Sequence, residues 1–335
     1  MKTPPRGTAA AVALAGAALF VLTSVPAPAL AAPPRATAPA RPARAPGAIE
    51  LDASSLKEIA FRSIGPANMG GRIADFAVED ADPDHFYMAT ASGGLFRTTN
   101  SGTTWSPLFD QQPVSSLGAV ALWQKNAKVV WAGTGEANHR NSSSWGNGVY
   151  RSTDAGGTWT HCGLEATRHI SRVVTDPLDS LVAYVAAMGR LWGENAERGV
   201  FKTTDGGRTW SHALKGDART GACDLVMDPA DPRVLYAAMY ARRRTPWSYE
   251  DGGRTGGIFK TTDAGRTLVK LAGGLPAVTG RIGLDVYRAR PGIVMAVVGS
   301  NEGGQLAEFE ERSRVGGVFR SEDGGRTWTR TADHT

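Results

Sequence analysis

The chain has 335 residues, 41% hydrophobic and 21% charged, with 37 Lys and Arg against 32 Asp and Glu. Five of the cations (Lys2, Arg6, Arg35, Arg41 and Arg44) and none of the acids precede residue 49, which leaves 32 bases against 32 acids in 49–335. A formally neutral body excludes a nucleic-acid partner recruited by bulk charge, and two cysteines, Cys162 and Cys223, exclude a fold built on disulfides.

Residues 1–31 have the layout of a secretory signal peptide. Lys2 and Arg6 precede the apolar run AAAVALAGAALFVLTSV at 9–25, and Ala29 and Ala31 supply small residues at the spacing of a cleavage site. The run is short for a bilayer span and passes at once into proline, so no stable membrane anchor is expected. No cysteine follows the small residues and no arginine pair precedes the run, which disfavours lipoprotein and twin-arginine export. Residues 32–48, APPRATAPARPARAPGA, have almost nothing to bury and describe an extended spacer. The folded part is expected at 49–335, in a secreted or envelope location.

Beyond the spacer, IAFRSIG at 59–65 reads as a strand upstream of the first full unit. Five units then follow one order. A first strand (RIADFAV 72–78, LGAVALW 117–123, SRVVTD 171–176, ACDLVMD 222–228, RIGLDVY 281–287) meets a turn, often Asp-Pro, and then a second strand. A loop leads to the third strand, which runs into a ten-residue motif, and the residues after the motif make a fourth strand. The motif reads FRTTNSGTTW at 96–105, YRSTDAGGTW at 150–159, FKTTDGGRTW at 201–210, FKTTDAGRTL at 259–268 and FRSEDGGRTW at 319–328, at intervals of 54, 51, 58 and 60 residues. No segment sustains helical periodicity. Four short antiparallel strands per repeat describe an all-β fold, a β-propeller with five blades over about 68–110, 114–165, 168–215, 220–272 and 279–331.

The motif predicts a tight turn between third and fourth strands. The carboxylate of Asp154, Asp205, Asp263 or Asp323 accepts from turn N–H groups, glycine takes positive φ, and Trp159, Trp210 or Trp328 is expected to be buried at a blade junction. Asn100 and Trp105 stand in the same places in the first copy, where Asn can make part of the same turn. These residues are read as scaffold. Cys162 and Cys223 occupy different repeat positions and are expected to be buried free thiols.

On these five motifs the chain is identified as a member of the Asp-box, or BNR, repeat propellers. The opening FRSIGPANMGGRIADFAVED followed by MATASGGLFRTTNSGTTW is most similar to exported bacterial proteins labelled sortilin-like or glycosyl-hydrolase BNR repeat proteins. Members of that group are normally longer, which implies further blades from a longer chain. The resemblance spans ligand-binding receptors, assembly factors and glycosidases. Its xyloglucanases carry a catalytic Asp in an R-T-D-x-G-G pattern, and that position falls on Ala91 here, where a methyl group cannot donate a proton.

Long second-to-third loops at 136–148, 189–199, 240–257 and 300–317 should share one face, opposite the motif turns. They carry Trp145, Trp192, Trp247 and Tyr249 with His139, Arg140 and Arg243, a set suited to a glycan or a peptide. Glu136, Glu194, Glu197 and Glu250 are the rim acids, read as solvated loop carboxylates. Arg72 and Arg281 sit at the mouths of first strands, placed to bind an anion or to pair with a neighbouring blade's acid. No His or Cys spacing suggests a metal, and no cofactor is implied. The expected function is a glycan- or peptide-binding scaffold module, not catalytic on its own. A glycoside hydrolase and an envelope assembly factor are the alternatives.

Overall fold

The computed structural model describes residues 71–138, 140, 143–300 and 315–332. These fall within one compact unit, Ser63–Thr335. The expected signal peptide, the spacer, the strand at 59–65 and His139 lie outside the described residues.

Five antiparallel sheets follow one another in chain order, each with its four main strands in sequence order. Blade one holds β1 (Ile73–Glu79), β2 (Asp82–Thr90), β3 (Gly94–Thr98) and β4 (Ser106–Pro107), and blade two holds β5 (Leu117–Leu122), β6 (Val130–Thr134), β7 (Val149–Ser152) and β8 (Thr160–His161). Blade three holds β9 (Ile170–Thr175), β10 (Ala183–Ala187), β11 (Gly199–Thr203) and β12 (Ser211–Lys215). In blade four are β13 (Thr220–Met227), β14 (Leu235–Arg244), β15 (Tyr249–Asp251), β16 (Gly257–Thr261) and β17 (Val269–Lys270). Blade five has β18 (Ile282–Val286), β19 (Val294–Val298), β20 (Gly317–Ser321) and β21 (Thr329–Ala332). Besides strands, the described residues contain one short 3-10 turn, Glu165–Thr167.

Blades stack face to face, so the inner strands of middle blades are buried on both sides. That is why β5 (LGAVAL), β6 (VWAGT) and β10 (AYVAA) read as continuous runs of small and apolar residues and are buried at every position. Gly133 shows how close the sheets come, since a Cβ there would lie 2.4 Å from Ile170 Cγ2. The first strands pack in the series β1, β5, β9, β13, β18. At its ends the pattern alternates instead: Ile282, Leu284 and Val286 are buried against blade four while Gly283 and Asp285 are exposed, and Phe76 and Val78 of β1 are exposed. Arg172 of β9 reaches Asp75 of β1 and Asp224 of β13, both at 2.9 Å, and Arg288 pairs with Asp80 at 3.0 Å between the first-to-second-strand turns of blades five and one.

The repeated motif folds into one hydrogen-bonded turn. In blade two Ser152 Oγ donates to Asp154 Oδ1 (2.7 Å), Thr158 N to Asp154 Oδ1 (2.8 Å), Thr158 Oγ1 to Asp154 Oδ2 (2.7 Å) and Gly156 N to Ser152 Oγ (2.8 Å). Asp205, Asp263 and Asp323 make the same set. Asn100 keeps the acceptor bonds and reverses one: its Nδ2 donates to Thr104 Oγ1 at 2.9 Å. Hydrogen bonds from Thr158 and Ser152 hold the Asp154 carboxyl down at about 2, and those from Thr209 hold Asp205 there too.

The motif tryptophans differ from the buried set expected. Only Trp328 is buried; Trp159 and Trp210 are half-buried and Trp105 is 37% exposed. Trp159 Nε1 donates to Leu108 O (2.9 Å) and Trp210 Nε1 to Cys162 O (2.7 Å), each in the preceding blade, so one ring edge stays at the surface. Trp328 donates instead within its own turn, to Gly325 O at 3.0 Å. Cys162 and Cys223 are free and buried. The loop expected at 240–257 is also partly a hairpin, because β14 runs on to Arg244 and pairs with β15.

Candidate functional site

On the face away from the motif turns, three connections meet at a cleft of about 340 Å³. Trp145 comes from the long loop of blade two, Arg168 and His169 from the connection between blades two and three, and Arg190, Leu191 and Trp192 from the long loop of blade three. Trp145 and Trp192 are 61% and 40% exposed, and the Arg168 guanidinium carbon lies 5.4 Å from the Trp145 ring centroid. Exposed indoles beside cations offer flat apolar faces and charged donors to one ligand.

Local backbone constraints create this arrangement. Gly135 has φ +85°, and a Cβ there would meet the Arg168 carbonyl oxygen at 1.9 Å. That same oxygen accepts from Gly146 N at 2.8 Å, so the blade-two loop closes on the backbone of Arg168. The 3-10 turn before it is flanked by Leu164 (φ 66°) and Arg168 (φ 61°), both in a region that L side chains rarely adopt. Such strain costs on the order of 1–3 kcal/mol per residue and persists where surrounding structure enforces it.

The blade-three loop is held from inside by Arg198, a fully buried side chain. Its guanidinium donates to the carbonyls of Met188 (2.6 Å), Arg190 (2.7 Å), Gly193 (3.2 Å) and Arg219 (3.3 Å), which fixes the loop carrying Arg190 and Trp192. Burial, with Arg242 nearby, lowers the Arg198 pKa to about 10. Arg242 is buried as well; its Nη1 donates to Ala137 O at 3.2 Å while its Nε and Nη2 find no partner. Between these cations lies His169, 1% exposed, with Nδ1 unpartnered. Burial first, then Arg242, pushes its pKa down to about 4. Arg242 belongs by sequence to the charged residues of the long-loop rim, whereas Arg198 looks like one more loop arginine and is missed. The single local cue for Arg198 is its place just before the third strand at Gly199.

The other sequence-derived residues fall elsewhere. Glu136, expected as a solvated carboxylate, is 1% exposed and paired with Arg72, whose Nε donates to Oε1 at 2.9 Å and whose Nη2 contacts Oε2. Arg72 is therefore occupied by a neighbouring blade's acid. Arg281 Nη1 donates to Asn138 Oδ1 at 2.6 Å. Trp247 is 85% exposed and does not line the cleft. Tyr249 hydrogen-bonds Tyr240 at 2.7 Å and lies under Arg244, with the guanidinium carbon 5.0 Å from its centroid. Arg243 pairs with Glu250 at 3.5 Å, and Glu250 and Glu194 both meet Arg219. Arg140 is exposed. Ala91 is buried, its N–H donating to Arg72 O at 2.8 Å. No group of three or more His, Cys, Asp or Glu able to hold a metal occurs among the described residues. Nor is any helix among them long and apolar enough to cross a membrane.

Fold and site together define an all-β propeller with an aromatic, cation-lined cleft on its long-loop face. No family model matches the chain. It is similar to a xyloglucanase from a Paenibacillus species, 26% identical over 286 residues, covering 84% of this chain and 22% of that protein. It also resembles an oligoxyloglucan-reducing end-specific xyloglucanase from Emericella nidulans, 24% identical over 273 residues, 68% of this chain and 32% of that protein. Among solved structures, the GH74 xyloglucanase from Xanthomonas campestris superposes with a TM-score of 0.56 at 19% identity, over 78% of this chain and 38% of that one. The GH74 enzyme of Niastella koreensis gives 0.56 at 22% identity, over 77% and 38%. The chain thus spans between 18% and 32% of the length of the curated relatives it matches.

Proposed function

We infer that this protein is an exported glycan-binding module that takes its ligand in the Trp145–Trp192 cleft. The observation that carries this reading is the pairing of two exposed indoles from different blades across one cleft, with Arg168 stacked on one of them. Sugar rings present flat C–H faces that pack on indoles, and their hydroxyls suit charged donors at the rim. The relatives named xyloglucanases support a glycan over a peptide ligand. They also favour a second reading, a glycoside hydrolase. The exposed acids Glu194 and Glu250 are bound to Arg219, and hydrogen bonding to that arginine lowers the Glu194 pKa, which leaves Glu194 a poor proton donor. Binding is therefore placed ahead of hydrolysis.

Titration calorimetry with xyloglucan oligosaccharides and other plant and microbial oligosaccharides tests the reading. Saturable binding that Trp192→Ala weakens by about 1–3 kcal/mol, with folding intact, is the expected result. Binding that survives loss of both Trp145 and Trp192 overturns it. Release of reducing ends by the wild-type chain moves the assignment to the hydrolase.

A further inference from the structure

The glycan reading leaves the charge of the cleft unexplained. A neutral polysaccharide needs hydroxyl partners of both kinds, donors and acceptors. Among the described residues, the six side chains that line this cleft include two arginines and a histidine and no carboxylate. Several arginines on the same face are neutralised, Arg72 by Glu136, Arg219 by Glu194 and Glu250, and Arg243 by Glu250, while Arg281 reaches the neutral Asn138. Arg168 and Arg190 have no ion pair among the described residues. Behind them stand Arg198, which hydrogen-bonds only to carbonyl oxygens and feels Asp217 and Glu194 at longer range, and Arg242, 2% exposed with two guanidinium nitrogens unpartnered. Arg198 and Arg242 repel each other, and together with Arg168 they raise the positive potential at His169 in the cleft wall, which an anion would relieve. The left-handed backbone of Arg168 adds a second sign of a site built at some cost.

Resting on the reading of this cleft as a glycan site, we propose that its ligand is an anionic saccharide, a glycan bearing uronic acids. The indoles of Trp145 and Trp192 take ring faces, and Arg190 with Arg168 takes the carboxylate. A planar carboxylate suits the paired N–H donors of guanidinium, and the indoles separate a sugar acid from a bare inorganic anion.

The test compares tri-galacturonic acid with its carboxyl-reduced counterpart, which keeps the same linkages and ring faces without the charge, and with a neutral xyloglucan oligosaccharide. Calorimetry on the full chain at low salt should give an affinity about tenfold or more higher for the acid than for the reduced trisaccharide, with the gap narrowing as salt is added. Arg190→Gln should lower affinity for the acid about tenfold and leave the reduced form within about twofold, because the exposed Arg190 side chain contributes charge and little packing. Arg168→Gln serves as a second variant with its folding checked by circular dichroism. Equal affinity for acid and reduced sugar overturns the charge assignment and leaves the glycan reading in place. Binding of the neutral xyloglucan oligosaccharide alone does the same. If none of the three binds, the glycan reading itself fails.

Discussion

Replacing Trp210 by Ala, with Trp247→Ala as its partner experiment, separates residues that hold the blades from residues that decorate the loop face. Trp210 is half-buried, donates to Cys162 O at 2.7 Å and lies edge-on to Trp131, ring centroids 6.3 Å apart at 77°. Truncating a fully buried Trp costs roughly 3–5 kcal/mol, and half-burial reduces that to about 2. The lost hydrogen bond to the preceding blade adds about 1 kcal/mol, for about 3 kcal/mol in all. In a domain of this size the change lowers Tm by about 6–12 °C. Trp247 is 85% exposed, so its truncation should stay within about 0.5 kcal/mol. Urea unfolding followed by far-UV circular dichroism is the suitable assay, since Trp fluorescence changes with the mutation itself. Blades contact mainly their neighbours, so midpoints are comparable only where the denaturant slope is unchanged. If Trp247→Ala costs as much as Trp210→Ala, the loop tryptophans are structural pins and the division between the two faces is wrong.

Three further outcomes follow from titrating groups. Asp154 and Asp205 have folded pKa values of about 2 against 3.8, so the stability they confer is complete above 3.8 and is lost as pH falls through about 2; an acid titration watched by circular dichroism should be shallower for Asp205→Asn. His169 is depressed from 6.5 to about 4, so the unfolded chain takes up its proton first. Stability is full above 6.5 and falls by up to about 3 kcal/mol as pH drops to about 4, a slope that His169→Gln should remove from urea midpoints. Arg72→Gln strands the buried Glu136 carboxylate and, because Arg72 itself is part-exposed, should cost about 2 kcal/mol; the double variant with Glu136→Gln should recover part of that loss, and no recovery would show the pair to be uncoupled.

The blades were legible because their signals are local and repeated. A motif in which Ser or Thr, Asp, Gly and Thr satisfy each other within seven residues leaves the same letters wherever the turn occurs, as the bonds around Asp154 show. Runs such as LGAVAL follow from double-sided burial and are equally local. What the sequence did not reveal depends on which element lies across from which. Glu136 sits in a glycine-rich loop that looks solvated; the arginine that buries it is 64 residues away on blade one. The tryptophans of the motif look alike in the sequence, but their burial depends on the blade before them, which Trp159 and Trp210 meet through the indole N–H and Trp328 through its backbone N–H, to Gly273 O at 2.6 Å.

The cleft lies at the far end of the same contrast. On the motif face each Asp carboxylate is satisfied within its own turn, and the turn carbonyls Ala155 O, Ala264 O and Gly324 O accept from side chains of the preceding blade, which makes that face stiff. On the loop face Arg198 donates to three carbonyls of its own loop and one of the next connection, Arg168 holds a left-handed backbone against Gly135 and Gly146, and His169 and Arg242 keep buried nitrogens without partners. Each of these features costs folding free energy, and a chain retains them only where regular structure elsewhere supplies a surplus. Five repeated turns and two-sided burial supply it here. On the reading proposed above, the cations of this face, Arg168 with its left-handed backbone among them, are where a ligand would recover free energy, beside the indoles of Trp145 and Trp192.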